Sequence, residues 1–431
     1  MPAEDAPANP TAHEPAAPQT AEGPILRLPA GWTFAALIGG WAIGWLLADS
    51  PAAGPLQAVA GPVGSIWLSA LQMTIIPLVA GLLVTGVTGM VATARVGATA
   101  RRTLLAFWSV LAGGTLMAAL LTPVLLEAFP IPASAGGALL AGGVSAPQEV
   151  PSIGDFFESL VTPNVVAAAA DTAMLPLIVF FVALAFAITR LPAARRTPLI
   201  DLFAGLGDAM LVIIGWVLWL APVGVLALAI GVGLRSGGGA LAAVAHYIVV
   251  VSSMGLIVML AGYVLAVAGG RVPLVRFARA MIPAQTVALS TQSSLASLPA
   301  MLGSCRDLGL RETSGDFVLP LAVALFRATG PAMNLAVAIY VAHLAGVELT
   351  PVMLVAGFAV ALLTTVGSVS LPGAVSFVTA IGPIAITMGV PVEPLALLVA
   401  VEMVPDLIRT IGNVTMNVAV TAFVDRSDRD R

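Results

Sequence analysis

The sequence predicts an all-α polytopic membrane protein: eight transmembrane helices plus two inverted re-entrant helical hairpins. Composition, the lengths of the apolar runs and the placement of arginine predict it. Of 431 residues, 59% are hydrophobic and 9% are charged, with a mean hydropathy of +1.03. Soluble domains carry about 25% charged residues, so this composition excludes one. The net charge of −4 is spread over loops, and no basic run suggests nucleic acid. All 18 basic residues are arginine, which reads as codon bias rather than function. The single Cys305 excludes an internal disulfide and a cysteine metal cluster. His13, His246 and His343 are too scattered for a metal site.

Residues 1–24 are rich in Pro, Ala, Glu and Thr and lack the basic and apolar regions of a signal peptide, so they read as a disordered cytoplasmic tail. A bilayer core of about 30 Å takes roughly 20 apolar residues per helix. Stretches that satisfy this run 31–48, 56–92, 99–128, 163–189, 198–234, 240–268, 314–345 and 394–424. The longer ones imply tilt or extension beyond the bilayer. Arginine then sets the topology. Arg95, Arg101 and Arg102 mark one cytoplasmic loop, Arg190, Arg195 and Arg196 the next, and Arg271, Arg276 and Arg279 a third. Arg426, Arg429 and Arg431 mark a cytoplasmic tail at 425–431. The intervening loop at 130–162 has no arginine but carries Glu149, Asp155 and Glu158, and only Arg235 falls on that outer side. Both termini are therefore expected in the cytoplasm, with the chain in the cell (inner) membrane.

Two segments break the count. The apolar stretch between Arg279 and Arg306 begins and ends on the cytoplasmic side; the one between Glu348 and Glu393 begins and ends outside. Each is interrupted at its middle, by SSLASLP at 293–299 and by GSVSLPG at 367–373. Broken backbone at membrane depth survives only where it lines a cavity, and two such segments of opposite orientation point to a transporter with a midplane site. Residues 25–268 then hold the first six helices, 269–313 the first hairpin, 314–346 the seventh helix, 347–390 the second hairpin and 391–424 the eighth helix.

On the eighth helix Glu402, Asp406, Arg409, Asn413 and Asn417 are spaced four, three, four and four apart. At 100° per residue they fall within about 80° of one face. A charge in hydrocarbon costs roughly 3 kcal/mol even on a lenient scale, so the stripe must face protein or a water-filled cavity.

These segments together resemble the dicarboxylate/amino acid:cation symporters, the glutamate transporter fold. LSALQMTIIPLVAGLLVTGV at 68–87 is similar to that family's second helix, TPNVVAAAADTAMLPLIVF at 162–180 to the start of its fourth, and APVGVLAL at 221–228 to its fifth. QSSLASLP resembles the tip of its first hairpin, and DLIRTIGNVTMN at 406–417 its eighth helix. The resemblance implies a homotrimer in the lipid bilayer. Each protomer would pair a scaffold with a moving transport domain, the first six helices supplying the scaffold and part of that domain. It implies substrate contacts from Ser293, Ser294, Asp406, Arg409, Thr410 and Asn413, with Asp406 and Thr410 at an ammonium and Arg409 and Asn413 at carboxylates. It implies an outer gate at Gly367, Ser368, Ser370, Pro372 and Gly373. The chemistry of the residues agrees, because arginine presents a planar fork to carboxylates and hairpin tips expose backbone N–H groups to anions. The plainer reading is that Asp406 and Arg409 pair with each other at i, i+3.

The seventh helix departs from the family. Its Asn-Met-Asp-Gly-Thr stretch aligns with Pro331-Ala332-Met333-Asn334-Leu335, so the cation-binding aspartate is Met333 and a substrate-contacting threonine is Leu335. The late cation-binding aspartate of the eighth helix is Asn417, and the position that proton-coupled relatives use is Ile339. Thr329 and Asn417 remain as a residual cation site, but a hard cation needs several oxygens, usually with a carboxylate. Sodium coupling is thus expected to be lost and H+ favoured as the coupling ion, with Na+ still open and no cofactor or metal. Arg327 stands where the family has a glycine. It replaces the lost cation as a tethered charge, grips a second substrate carboxylate, or snorkels to an aqueous surface. Glu402, one turn from Asp406, is the candidate proton carrier, since two close carboxylates in low dielectric favour holding a proton; His343 is the second candidate.

The expected function is a secondary active symporter for acidic amino acids or C4-dicarboxylates, proton- rather than sodium-coupled. A carrier of neutral or sulfur-containing amino acids, or a passive channel or sensor on the same scaffold, is the alternative. An enzyme is not expected: a hydrolase built on Ser293 or Ser294 lacks an obvious base.

Overall fold

The computed structural model describes residues 30–94, 97–131, 158, 160–236, 239–367 and 373–429. Among them are helices and turns and no strand. In order they are α1 (Ala30–Leu47), α2 (Ala53–Gln72), α3 (Ile75–Ala94), α4 (Ala98–Ala128), α5 (Val165–Ala170), α6 (Met174–Ile188), α7 (Ala193–Trp219), α8 (Ala221–Ser236) and α9 (Gly239–Val264). A π turn (Leu265–Gly269) extends α9. Then follow α10 (Leu274–Thr291), α11 (Leu298–Asp307), α12 (Glu312–Leu325), α13 (Gly330–Leu344), α14 (Pro351–Gly367), α15 (Gly373–Thr387), α16 (Glu393–Leu398) and α17 (Met403–Arg429).

All eight predicted stretches are helical, but five that read as single spans are interrupted, each shortly before a proline. Pro77, Pro176, Pro222, Pro331 and Pro405 have no N–H to give the carbonyl four residues back. The interruptions fall at Met73–Thr74, at residues 171–173, at Leu220, at residues 326–329 and at residues 399–402, the last beginning as a 3₁₀ turn (Val399–Val401). Thr74 Oγ1 compensates by donating to the Leu71 carbonyl at 2.8 Å. Six helical stretches remain long and apolar enough to cross a membrane: Ala53–Ala94, Ala98–Ala128, Ala193–Trp219, Ala242–Gly269, Glu312–Leu344 and Met403–Arg429.

Polarity is arranged in reverse of a soluble protein. Exposed apolar side chains line the outer helices: Trp32 and Trp45 on α1, Leu105, Leu116 and Leu120 on α4, Trp216 and Trp219 on α7. The polar stripe is inside. Alpha13 is apolar on every side and is buried at every position except His343, as a helix without a polar face must be. It packs on α4 and α9, and α9 packs on α17. Alpha1 lies so close to α8 that a Cβ on Gly40 would come within 2.6 Å of the Leu226 carbonyl oxygen.

The first interrupted segment folds as α10 and α11 packed together, joined at residues 292–297. Gln292, at φ 51°, ends α10 in the left-handed region, and Ser304 Oγ ties the pair by donating to the Ala280 carbonyl at 2.7 Å. Alpha14 and α15 also pack together, but residues 368–372 between them lie outside the described residues. Arginines fix the far end of α17. Arg311 and Arg429 reach Asp425 at 2.7 and 2.9 Å, Ser314 Oγ donates to it at 2.8 Å, and Arg102 meets Asp428 at 2.5 Å.

Candidate functional site

The interruption at residues 326–329 positions the site. Phe326 leaves the helix in extended geometry (φ −121°, ψ 100°) and stacks on Phe107 of α4, with ring centroids 4.3 Å apart. Thr329 is thereby turned onto α17. Its backbone N–H and its hydroxyl both reach Asn413 Oδ1, at 3.0 and 2.9 Å, and the hydroxyl lies 3.0 Å from the Arg409 carbonyl. Gly412 makes room: a Cβ there would stand 2.5 Å from Thr329 Cγ2.

Glu402, Asp406, Arg409, Thr410, Asn413 and Asn417 are all buried. Arg409 is 1% exposed and is at the centre. Its Nη2 donates to Glu402 Oε1 at 2.6 Å and its Nη1 to Asn334 Oδ1 at 2.7 Å. Asp406 Oδ1 stands 3.5 Å from Nε, an ion pair in which Nε makes no hydrogen bond. The i, i+3 pair expected from spacing is therefore present, but the tighter partner is Glu402, seven residues away and two turns along the same face. Half-buried Arg327 lies close enough to Asp406 and Arg409 for their charges to interact. Two positive and two negative side chains thus share one site.

Asn413 has its oxygen committed to Thr329, so its amide N–H2 is the group able to donate to a carboxylate. The Thr410 hydroxyl donates to the Asp406 carbonyl at 2.8 Å. Asn417, fully buried, meets Met301 Sδ through Nδ2 at 3.8 Å, and its Oδ1 has no hydrogen-bond partner. It and Thr329 are not joined by a hydrogen bond. Met333 lies against Gly255 of α9 and Leu335 against Gly357 of α14, both fully buried, as is Ile339.

Ser293 and Ser294 fall in the α10–α11 turn, where Ser293 Oγ accepts from the Ala296 N–H at 3.2 Å; neither is hydrogen-bonded to α17. Of the gate residues, Gly367 ends α14 and Gly373 begins α15; Ser368, Ser370 and Pro372 lie outside the described residues. His343 is exposed near the end of α13. Among the described residues no cluster of three His, Cys, Asp or Glu side chains is arranged to hold a metal.

Two participants escaped the sequence reading. Asn334 was legible as the one polar residue in the run from Gly330 to Ile339. Tyr247, fully buried on α9, donates to Glu402 Oε2 at 3.3 Å; its signal was a phenol in an apolar helix, which requires a partner.

A model of the sodium:dicarboxylate symporter family matches residues 30–427. The chain belongs to that family. Among its relatives in the family, it is 27% identical over 398 residues to the proton/sodium-glutamate symport protein of Bacillus subtilis (strain 168), covering 91% of this chain and 90% of that one. It is 28% identical over 368 residues to the proton/glutamate-aspartate symporter of Escherichia coli (strain K12), covering 83% and 82%. It is 26% identical over 374 residues to the C4-dicarboxylate transport protein of Laribacter hongkongensis (strain HLHK9), covering 84% and 82%. Membership and the apolar helices make this symporter-family chain a multi-pass membrane protein, and it is not an enzyme.

Proposed function

We propose that the protein is a symporter of acidic amino acids or C4-dicarboxylates that works by alternating access and is driven by protons. The observation that carries the reading is a fully buried arginine held by a carboxylate at 2.6 Å, with a spare Nε donor on the same guanidinium. The names of the relatives support an acidic substrate. Without substrate, Glu402 occupies the Arg409 fork; a substrate carboxylate takes its place, and Glu402, displaced from its cation, takes up a proton. Asp406 then receives a substrate ammonium, Asn413 donates to the α-carboxylate with Thr410 beside the amine, and Ser293 and Ser294 close over the substrate from the first hairpin.

Charge accounting supports the coupling. Arg327 and Arg409 balance Glu402 and Asp406 in the empty site. An acidic amino acid brings one net negative charge and a C4-dicarboxylate two, and burying them unneutralised is costly. One and two protons, respectively, restore neutrality. Sodium coordination is disfavoured, because Met333 and Leu335 pack into apolar seams and Asn417 faces a thioether, a set without the carboxylate a hard cation needs. Arg327 serves as the tethered positive charge. The same reading places the chain in the inner membrane as a homotrimer with both termini cytoplasmic. It assigns eight spans, two re-entrant pairs (α10–α11 and α14–α15) and an outer gate at 367–373. In proteoliposomes with the membrane potential clamped by potassium and valinomycin, L-aspartate uptake should carry one proton and move no net charge, and succinate should carry two. A net charge moved with each aspartate would overturn the accounting.

A further inference from the structure

Asn334 is brought to Arg409 by α13, and none of the roles above uses it. It is 2% exposed, in a helix otherwise apolar from Gly330 to Ile339. Its Oδ1 accepts from Arg409 Nη1 at 2.7 Å. A guanidinium only donates, so the carboxamide has one orientation, oxygen toward Arg409 and N–H2 away from it. Among the described residues that N–H2 has no acceptor. Asn413 on α17 repeats the pattern, its oxygen committed to the Thr329 N–H and hydroxyl. Two carboxamides on two helices thus have their oxygens occupied by the protein and their donors left over. A buried donor without an acceptor is unfavourable, and a leucine of similar shape would avoid the cost. A ligand that brings acceptors completes the arrangement.

The position of Asn334 fits that ligand. One turn earlier on α13, Gly330 lies against Arg327 and α14: a Cβ on it would stand 3.4 Å from Arg327 Cβ and 4.0 Å from Thr365. The guanidinium that Asn334 holds by Nη1 is bound through Nη2 by Glu402, and its Nε makes no hydrogen bond. Leu335, the next residue, packs on Gly357 and has no donor to offer. We propose that Asn334 is a substrate-binding residue that, with Arg409, recognises the distal carboxylate of an acidic substrate: the side-chain carboxylate of L-aspartate or the second carboxylate of succinate. The inference rests on the reading of Arg409 as the seat of a substrate carboxylate. Once Glu402 is displaced, the carboxylate takes its place on Nη2 with one oxygen and accepts from Asn334 Nδ2 with the other. Asn413 receives the α-carboxylate, so each end of the substrate meets one carboxamide donor. An amino acid with an aliphatic side chain leaves the Asn334 N–H2 and the guanidinium unmet, the kind of loss by which hydrogen-bonding sites reject analogues most strongly. L-Asparagine offers a single acceptor oxygen there and turns its own donors on the donors of the site.

The test is calorimetric titration of L-aspartate and L-asparagine into wild type and Asn334→Ala. Wild type should prefer aspartate. Asn334→Ala should weaken aspartate binding about tenfold, the scale of one hydrogen bond to a charged group, and narrow the preference over asparagine. Aspartate affinity unchanged in Asn334→Ala overturns this inference alone. Wild type that binds neither L-aspartate nor succinate overturns the acidic-substrate reading and this inference with it. A structure of the wild-type protein with L-aspartate bound separates contact from mere positioning of Arg409, and it needs no variant should Asn334→Ala fail to fold. A ligand carboxylate oxygen must lie within about 3.2 Å of Asn334 Nδ2; a ligand with both carboxylates beyond its reach contradicts the proposal.

Discussion

Arg409→Ala should eliminate measurable uptake and weaken substrate binding about 10²- to 10³-fold, the equivalent of roughly 3–4 kcal/mol. Two losses combine. The substrate carboxylate loses its planar, doubly donating partner, and Glu402 and Asp406 are left as buried carboxylates without their cation. Arg409→Lys keeps the charge but not the fork, so it should recover stability more fully than affinity. Removing Glu402 together with Arg409 should restore part of the lost stability, because the two effects are not independent in a contacting pair. Thermal midpoints and calorimetric substrate titrations of the purified variants separate these terms. Binding unchanged in Arg409→Ala would remove the guanidinium from the substrate site.

Glu402→Gln should separate exchange from accumulation. The amide oxygen still accepts from Arg409, and its N–H2, in place of Oε2, can donate to the Tyr247 oxygen once that hydroxyl turns its proton away, so the local packing persists. The empty site then carries one more positive than negative charge, and an acidic amino acid neutralises it without a proton. Homoexchange should continue while concentrative uptake falls by about 10²-fold, the scale on which a positioned proton-transfer group contributes. In the wild type, binding takes up a proton, so apparent affinity should rise as pH falls, by up to about tenfold per unit; in Glu402→Gln that slope should flatten. Titrations of both proteins across the same pH range measure the difference.

Much of this was legible in the chain because its two main signals are strict. Hydrocarbon demands long apolar runs, and charge within them demands a shared face, so the helices and the stripe from Glu402 to Asn417 follow from length and period. The interruption at 293–299 was also readable, since Ser and Pro cluster there, and it coincides with the turn at 292–297. The break at 326–329 was not read. Pro331 follows Gly330, but Pro62, Pro123, Pro198, Pro283 and Pro320 lie within helices that continue, so proline alone does not locate a break. What decides is whether the backbone groups at a break find partners, as the Thr329 N–H does at Asn413 Oδ1, and such partners come from other helices. The Arg409–Glu402 preference over Arg409–Asp406 is of the same kind. Spacing puts both carboxylates within reach, and only the position of Asn334 and Tyr247 in space selects between them.

The most direct test of the central claim is accumulation of radiolabelled L-aspartate, L-glutamate and succinate in proteoliposomes, with sodium and proton gradients imposed separately. A proton gradient alone should drive accumulation, and a sodium gradient alone should not. Accumulation that requires sodium would contradict the account, because it would mean that a cation is bound where Met333, Leu335 and Asn417 offer it no carboxylate.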